Sequence, residues 1–95
     1  MIIDIPYKQN DVISLKLSSG EEIVAKLIEE KADLLVLSKP LSLTATQEGM
    51  ALAPFMFTTD LEKKFYFKTY NIICIAKTQE DMAKNYLQST TGIQM

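Results

Sequence analysis

The 95-residue chain contains no His, no Trp and no Arg, and its one Cys is Cys74. Without an imidazole there is no base of the kind that Ser-His-Asp or Cys-His catalysis needs. No His and one thiol exclude a Cys/His zinc site, and a single Cys excludes an internal disulfide. The missing Arg removes the side chain best suited to bidentate reading of guanine or phosphate. Its ten basic residues are therefore all Lys, set against twelve Asp and Glu, for a net charge of −2. That sign excludes capture by nucleic acid through global charge and leaves only a local basic patch open. No apolar run approaches the roughly 18 residues of a membrane span. Met1-Ile2-Ile3-Asp4-Ile5-Pro6 has no basic flank of the secretory kind. With a lone Cys and no export signal, a cytoplasmic protein is expected, with no membrane partner. No cofactor or metal is expected either.

What is present is a globular composition, with 47% hydrophobic and 23% charged residues. That suits a single domain over residues 1–95. Ile13, Leu15 and Leu17 alternate with Val12, Ser14, Lys16 and Ser18, the period of a half-buried strand. Ser18-Ser19-Gly20-Glu21 reads as a turn, after which Ile23, Ala25 and Leu27 resume the alternation and complete a hairpin. Glu29 to Asp33 reads as the next turn. Leu34-Leu35-Val36-Leu37 reads as a strand covered on both faces, and Pro40 predicts a bulge or bend because it has no donor. A further strand at Leu41–Thr46 precedes the Gln47-Glu48-Gly49 turn. The apolar run Met50–Phe57, with Pro54 inside it, predicts an edge strand that something must cover. Phe65–Lys68 and Asn71–Ala76 read as two strands around a break at Thr69-Tyr70. The second is apolar on both faces, which points to a subunit interface. Thr78-Gln79-Glu80-Asp81 has the spacing of a hydroxyl cap, opening a helix over about 79–89. That helix would set Met82, Ala83, Tyr86 and Leu87 on one face, with Gly92 ending the helical region.

Leu17-Ser18-Ser19-Gly20-Glu21-Glu22-Ile23 followed by Asp33-Leu34-Leu35-Val36-Leu37 resembles the first motif of the Sm/LSm family, which includes Hfq. Phe67-Lys68-Thr69-Tyr70-Asn71-Ile72-Ile73-Cys74-Ile75 sits where the second motif would fall. The resemblance is closer to the small Sm-like proteins of tailed phages, cyanophages among them. It is carried by the same hairpin together with Ser38-Lys39-Pro40-Leu41, Ala53-Pro54-Phe55-Met56-Phe57 and Asn85-Tyr86-Leu87-Gln88-Ser89-Thr90-Thr91-Gly92-Ile93. It implies a mainly β, Sm-like (SH3-like), strongly bent five-stranded open barrel over about 11–77 with a short C-terminal helix. It also implies assembly of identical chains, edge to edge, into a closed ring of about five to seven subunits; if phage-encoded, the protein would work in the host cytoplasm. In that family an Asn and an Arg-Gly pair line a nucleotide pocket. Here the first position falls on Asp33 or Leu37, and the second on Lys68-Thr69, which keeps the charge and loses planar stacking.

The expected function is accordingly non-enzymatic. One reading is a ring that binds single-stranded RNA through Lys31, Lys68, Tyr70 and Asn71; the alternative is a structural or adaptor ring that binds another protein, its RNA pocket lost. Leu52, Phe55, Phe57, Ile73 and Ile75 are the expected subunit interface. Glu21-Glu22 and Glu29-Glu30 read as solvated turn acids without a nucleophile or metal constellation beside them. Cys74, inside an apolar strand, is expected to be a buried structural thiol. Lys63-Lys64 with Phe65-Tyr66-Phe67-Lys68 interleaves base and aromatic. Phe65 and Phe67 are expected to pack inward, leaving Tyr66 and Lys68 on the other face.

Overall fold

The computed structural model of the protein describes residues 7–91. The Met1–Pro6 segment and the Gly92 helix stop lie outside the described residues. The strands are β1 (Val12–Leu17), β2 (Glu22–Glu30), β3 (Leu34–Thr46), β4 (Gly49–Pro54), β5 (Lys64–Lys68) and β6 (Ile72–Lys77), followed by one helix, α1 (Glu80–Thr91). They form one open antiparallel sheet ordered β4-β3-β2-β1-β6, with β5 also paired to β3. The architecture is therefore mainly β with a C-terminal helix.

Six strands appear where the family resemblance implies five, and the register explains the difference. Strand β3 pairs with β2 along one side, from Leu35 to Ser42. Along its other side Leu34–Ser38 pairs with β5, and Leu41–Thr46 with β4. Strands β4 and β5 are thus two halves of one return strand, separated by the loop 55–63. Pro54 stops the run that was expected to continue to Phe57.

A 3-10 turn of three residues, Thr69–Asn71, joins β5 to β6. Those strands occupy opposite flanks of the sheet, so the sheet must curl to let so short a link span them. The inner face of the curl is filled by Ile13, Leu15 and Leu17 of β1, Ile23, Ala25 and Leu27 of β2, Leu35 and Leu37 of β3, and Phe65 and Phe67 of β5. Ile72 and Ile75 of β6 pack against the same cluster. The expected alternations of β1 and β2, and the inward Phe65 and Phe67, are all realised.

The bend in β3 is a bulge. Val24 pairs with Leu41 and Lys26 with Ser38, so two residues of β3, Lys39 and Pro40, face one of β2, Ala25. Lys39 adopts the left-handed region, at φ 50°, which a non-glycine residue does at a cost. The extra residue inverts the inside-out parity of the strand: Leu35 and Leu37 point into the curl, whereas Leu41 joins an outer cluster with Val24 and Tyr86. Helix α1 lies on that outer cluster. The Tyr86 hydroxyl donates to the carbonyls of Ser38 and Lys39, each at 2.9 Å, and so satisfies acceptors at the bulge.

Two features of the helix differ from expectation. Thr78 does not cap it; its hydroxyl pairs with that of Ser14 at 2.8 Å, while the Gln79 side-chain carbonyl accepts the Met82 N–H at 3.2 Å. Leu87 is 46% exposed, and the position beside Tyr86 is taken by Thr90, whose hydroxyl bonds the Tyr86 carbonyl at 3.0 Å and is buried with it.

Replacing Tyr86→Phe should destabilise the fold by about 1–3 kcal/mol, because it takes a hydrogen bond from part-buried carbonyls at the bulge. Burial raises the Tyr86 hydroxyl to about 12 from 10.0, opposed in part by the backbone N–H of Lys26. The folded chain therefore keeps a proton that the unfolded chain releases. The stabilisation is complete below pH 10 and declines between pH 10 and about 12. Urea unfolding of both chains across that range should show a steeper loss for the wild type than for the Phe variant.

Candidate functional site

Among the described residues the three flanking strands leave their outer backbone unpaired, and the turn bonds show which residues present it. In an antiparallel ladder, residues alternate between bonding the neighbour and facing away from it. The Thr69 N–H donates to the Asp33 carbonyl at 3.1 Å, so Phe67 and Phe65 bond β3 while Lys64, Tyr66 and Lys68 face outward. The Thr78 N–H donates to the Val12 carbonyl at 3.0 Å, so Cys74 and Ala76 bond β1 while Ile75 and Lys77 face outward. Ile73 is the extra residue of a further bulge, between Ile72 and Cys74. Its side chain is 68% exposed.

A groove of about 780 Å³ lies against β5, bounded by the loop 55–63 and the turn after β1. Leu17, Phe55, Phe65 and Phe67 form its apolar wall, with Phe55 tilted against Phe67 at a ring separation of 5.2 Å. Lys63, Lys64 and Lys68 line its rim with Ser18, Ser19 and Asn71. No carboxylate lies within ion-pair distance of these three lysines among the described residues; the ion pair found there joins Lys77 to Asp11 at 3.9 Å.

Lys68, Tyr70 and Asn71 share the short segment that crosses from β5 to β6, and all three are exposed. The turn that carries Lys31 abuts them, because its Asp33 carbonyl accepts the Thr69 N–H. The Asn71 carbonyl in turn accepts the Ser18 N–H at 2.8 Å. The four residues expected to contact RNA thus fall at one end of the sheet. Leu37 is fully buried in the core, whereas Asp33 is exposed on the turn before β3.

The expected interface residues divide. Phe57, at 81% exposure, and Ile73 are free of the core. Ile75 and Phe55 pack partly against the inner cluster, and Leu52 against the outer one. Cys74 is exposed rather than buried: the bulge at Ile73 shifts the alternation, so Ile72 and Ile75 take the inward positions. The groove's use of Ser18, Ser19, Phe55 and Met56 was not foreseen. The interleaved Lys63–Lys68 run was its one visible sign, since alternation placed two rings inward and the lysines at the rim.

Among the described residues no group of three or more His, Cys, Asp or Glu is placed to hold a metal ion. No described helix is long and apolar enough to cross a membrane. The chain matches no family model and no curated protein.

Phe55 closes the groove from a loop rather than from the sheet. Phe55→Ala should therefore leave the fold intact while costing about 1–3 kcal/mol, its share of aromatic and apolar contact. Denaturant unfolding with an unchanged far-ultraviolet dichroism spectrum would verify this.

Proposed function

We propose that the chain is a non-enzymatic, Sm-like cytoplasmic protein that assembles into a homo-oligomeric ring and binds single-stranded RNA at the end carrying Lys31, Lys68, Tyr70 and Asn71. The observation that carries the reading is the pair of open flanks, β5 and β6, joined by a three-residue turn. Each offers unpaired backbone beside exposed apolar side chains, Tyr66 on one and Ile73 on the other. When β5 of one subunit pairs with β6 of the next, both flanks are covered, and repetition of that contact closes a ring. The curled sheet with its bent third strand and its interrupted return strand suits the Sm-like reading, five strands being recovered when β4 and β5 are counted as one.

Ring symmetry also supports RNA binding despite a net charge of −2. Lysines at one end of each subunit are repeated around the axis, which concentrates positive potential there. Exposed Tyr70 offers a stacking face. A protein-binding adaptor ring is the second reading. It is favoured by the absence of Arg and by Phe57, whose ring stands almost wholly in solvent.

Ile73→Glu should dissolve the ring, because pairing would bury an unpaired charge while the single chain loses no core contact. Light scattering should give the mass of a smaller species than wild type; equal masses would refute the β5–β6 interface. RNA binding is tested separately by fluorescence anisotropy with labelled oligo-U, oligo-A and mixed strands at low and physiological salt. Base-dependent binding that survives physiological salt and weakens in Lys68→Ala supports the RNA reading. Binding that vanishes with salt would leave the adaptor reading.

A further inference from the structure

Strand β4 has a third open edge that the β5–β6 contact does not use. The Phe55 N–H donates to the Pro40 carbonyl at 3.1 Å, so Ala53, Ala51 and Gly49 bond β3 through Ser42, Thr44 and Thr46. Met50, Leu52 and Pro54 therefore turn their backbone groups outward. The edge offers two N–H donors, at Met50 and Leu52, and three carbonyl acceptors, because Pro54 has no N–H.

We propose that this edge pairs with the same edge of a second copy of the chain, antiparallel, about a two-fold axis through Leu52. In that register the two Leu52 residues exchange bonds with each other, and each Met50 N–H meets the partner's Pro54 carbonyl. Every outward donor finds an acceptor, and the missing donor of Pro54 falls opposite a carbonyl that water can satisfy. Side chains match as well, since directly opposed residues share a face: Leu52 meets Leu52, Met50 meets Pro54 and Ala51 meets Ala53. No residue from Gly49 to Pro54 is charged, so no like charges oppose each other. The flank lacks the lysines that commonly guard a free edge, and Met50 is 60% exposed on it. The contact is two-fold and isologous, whereas ring closure is head-to-tail. It therefore joins two chains, or two rings through several such contacts at once.

Amide hydrogen exchange tests this directly, because among the described residues of a single chain Met50 and Leu52 have no acceptor while Ala51 is bonded to Thr44. In the purified protein at millimolar chain concentration, the Met50 and Leu52 amides should exchange as slowly as that of Ala51. Met50→Pro removes two of the four inter-chain bonds without touching the β3 ladder. It should speed Leu52 exchange by about tenfold or more while leaving Ala51 unchanged. The same slow exchange should persist in Ile73→Glu, which separates this contact from the ring. Unprotected Met50 and Leu52 amides beside a protected Ala51 would overturn the proposal and leave the edge to another protein's strand. So would slow Leu52 exchange that survives Met50→Pro.

Discussion

The structure depends on one constraint: a turn of three residues must connect the two flanks of a sheet. From β5 through β3, β2 and β1 to β6 there are four strand spacings, about 19 Å if the sheet lay flat. A 3-10 segment of three residues rises only about 6 Å. The difference is absorbed by curling, and the curl creates the inside on which ten buried side chains from four strands converge. It also brings the end of β5, the start of β6 and the turn after β2 to one place, so Lys31, Lys68, Tyr70 and Asn71 share one end of the molecule. Core and candidate site thus have a common geometric origin.

Strand β3 makes the curl possible by changing sides. Its first half contributes Leu35 and Leu37 to the inner cluster, and beyond Lys39 it contributes Leu41 to the outer one. A regular strand cannot do this, because alternation is strict; one inserted residue can. The insertion leaves the Ser38 and Lys39 carbonyls in a partly buried place. Tyr86 reaches them from a helix almost fifty residues later in the chain. Local strain at Lys39 and long-range docking of α1 are consequently two parts of one device. The ring of Tyr86 fills the outer cluster while its hydroxyl satisfies the bulge.

Much of this was legible in the residues. The alternation of β1 and β2, the doubly covered Leu34–Leu37 segment, the break at Pro40 and the inward Phe65 and Phe67 follow from period-two patterning and proline chemistry. What escaped were consequences of single-residue insertions and competing partners. The bulge at Ile73 moved Cys74 to the surface, and no periodicity rule announces a bulge inside an apolar run. Thr78 has the right spacing for a cap, yet Ser14 on a strand far away in sequence claims its hydroxyl. Thr90 rather than Leu87 is buried with Tyr86, its hydroxyl returning to the helix backbone at the Tyr86 carbonyl. The groove was the least legible feature, since the loop 55–63 that supplies Phe55 and Met56 carries no period at all.

The three open edges differ in how they are guarded, and the difference ranks what each can pair with. Strand β5 presents Lys64 and Lys68 on either side of Tyr66, so indiscriminate pairing is opposed by charge while an aromatic anchor remains. Strand β6 carries a bulge at Ile73 and ends in Lys77, which limits any partner to a short register. Strand β4 has neither charge nor bulge, only Pro54 at its end. A proline on an edge removes a donor without repelling a neighbour, so it selects register rather than preventing contact. An edge protected in that way excludes most strands and accepts one whose acceptor pattern allows for the gap. Its own copy, turned about Leu52, meets that condition.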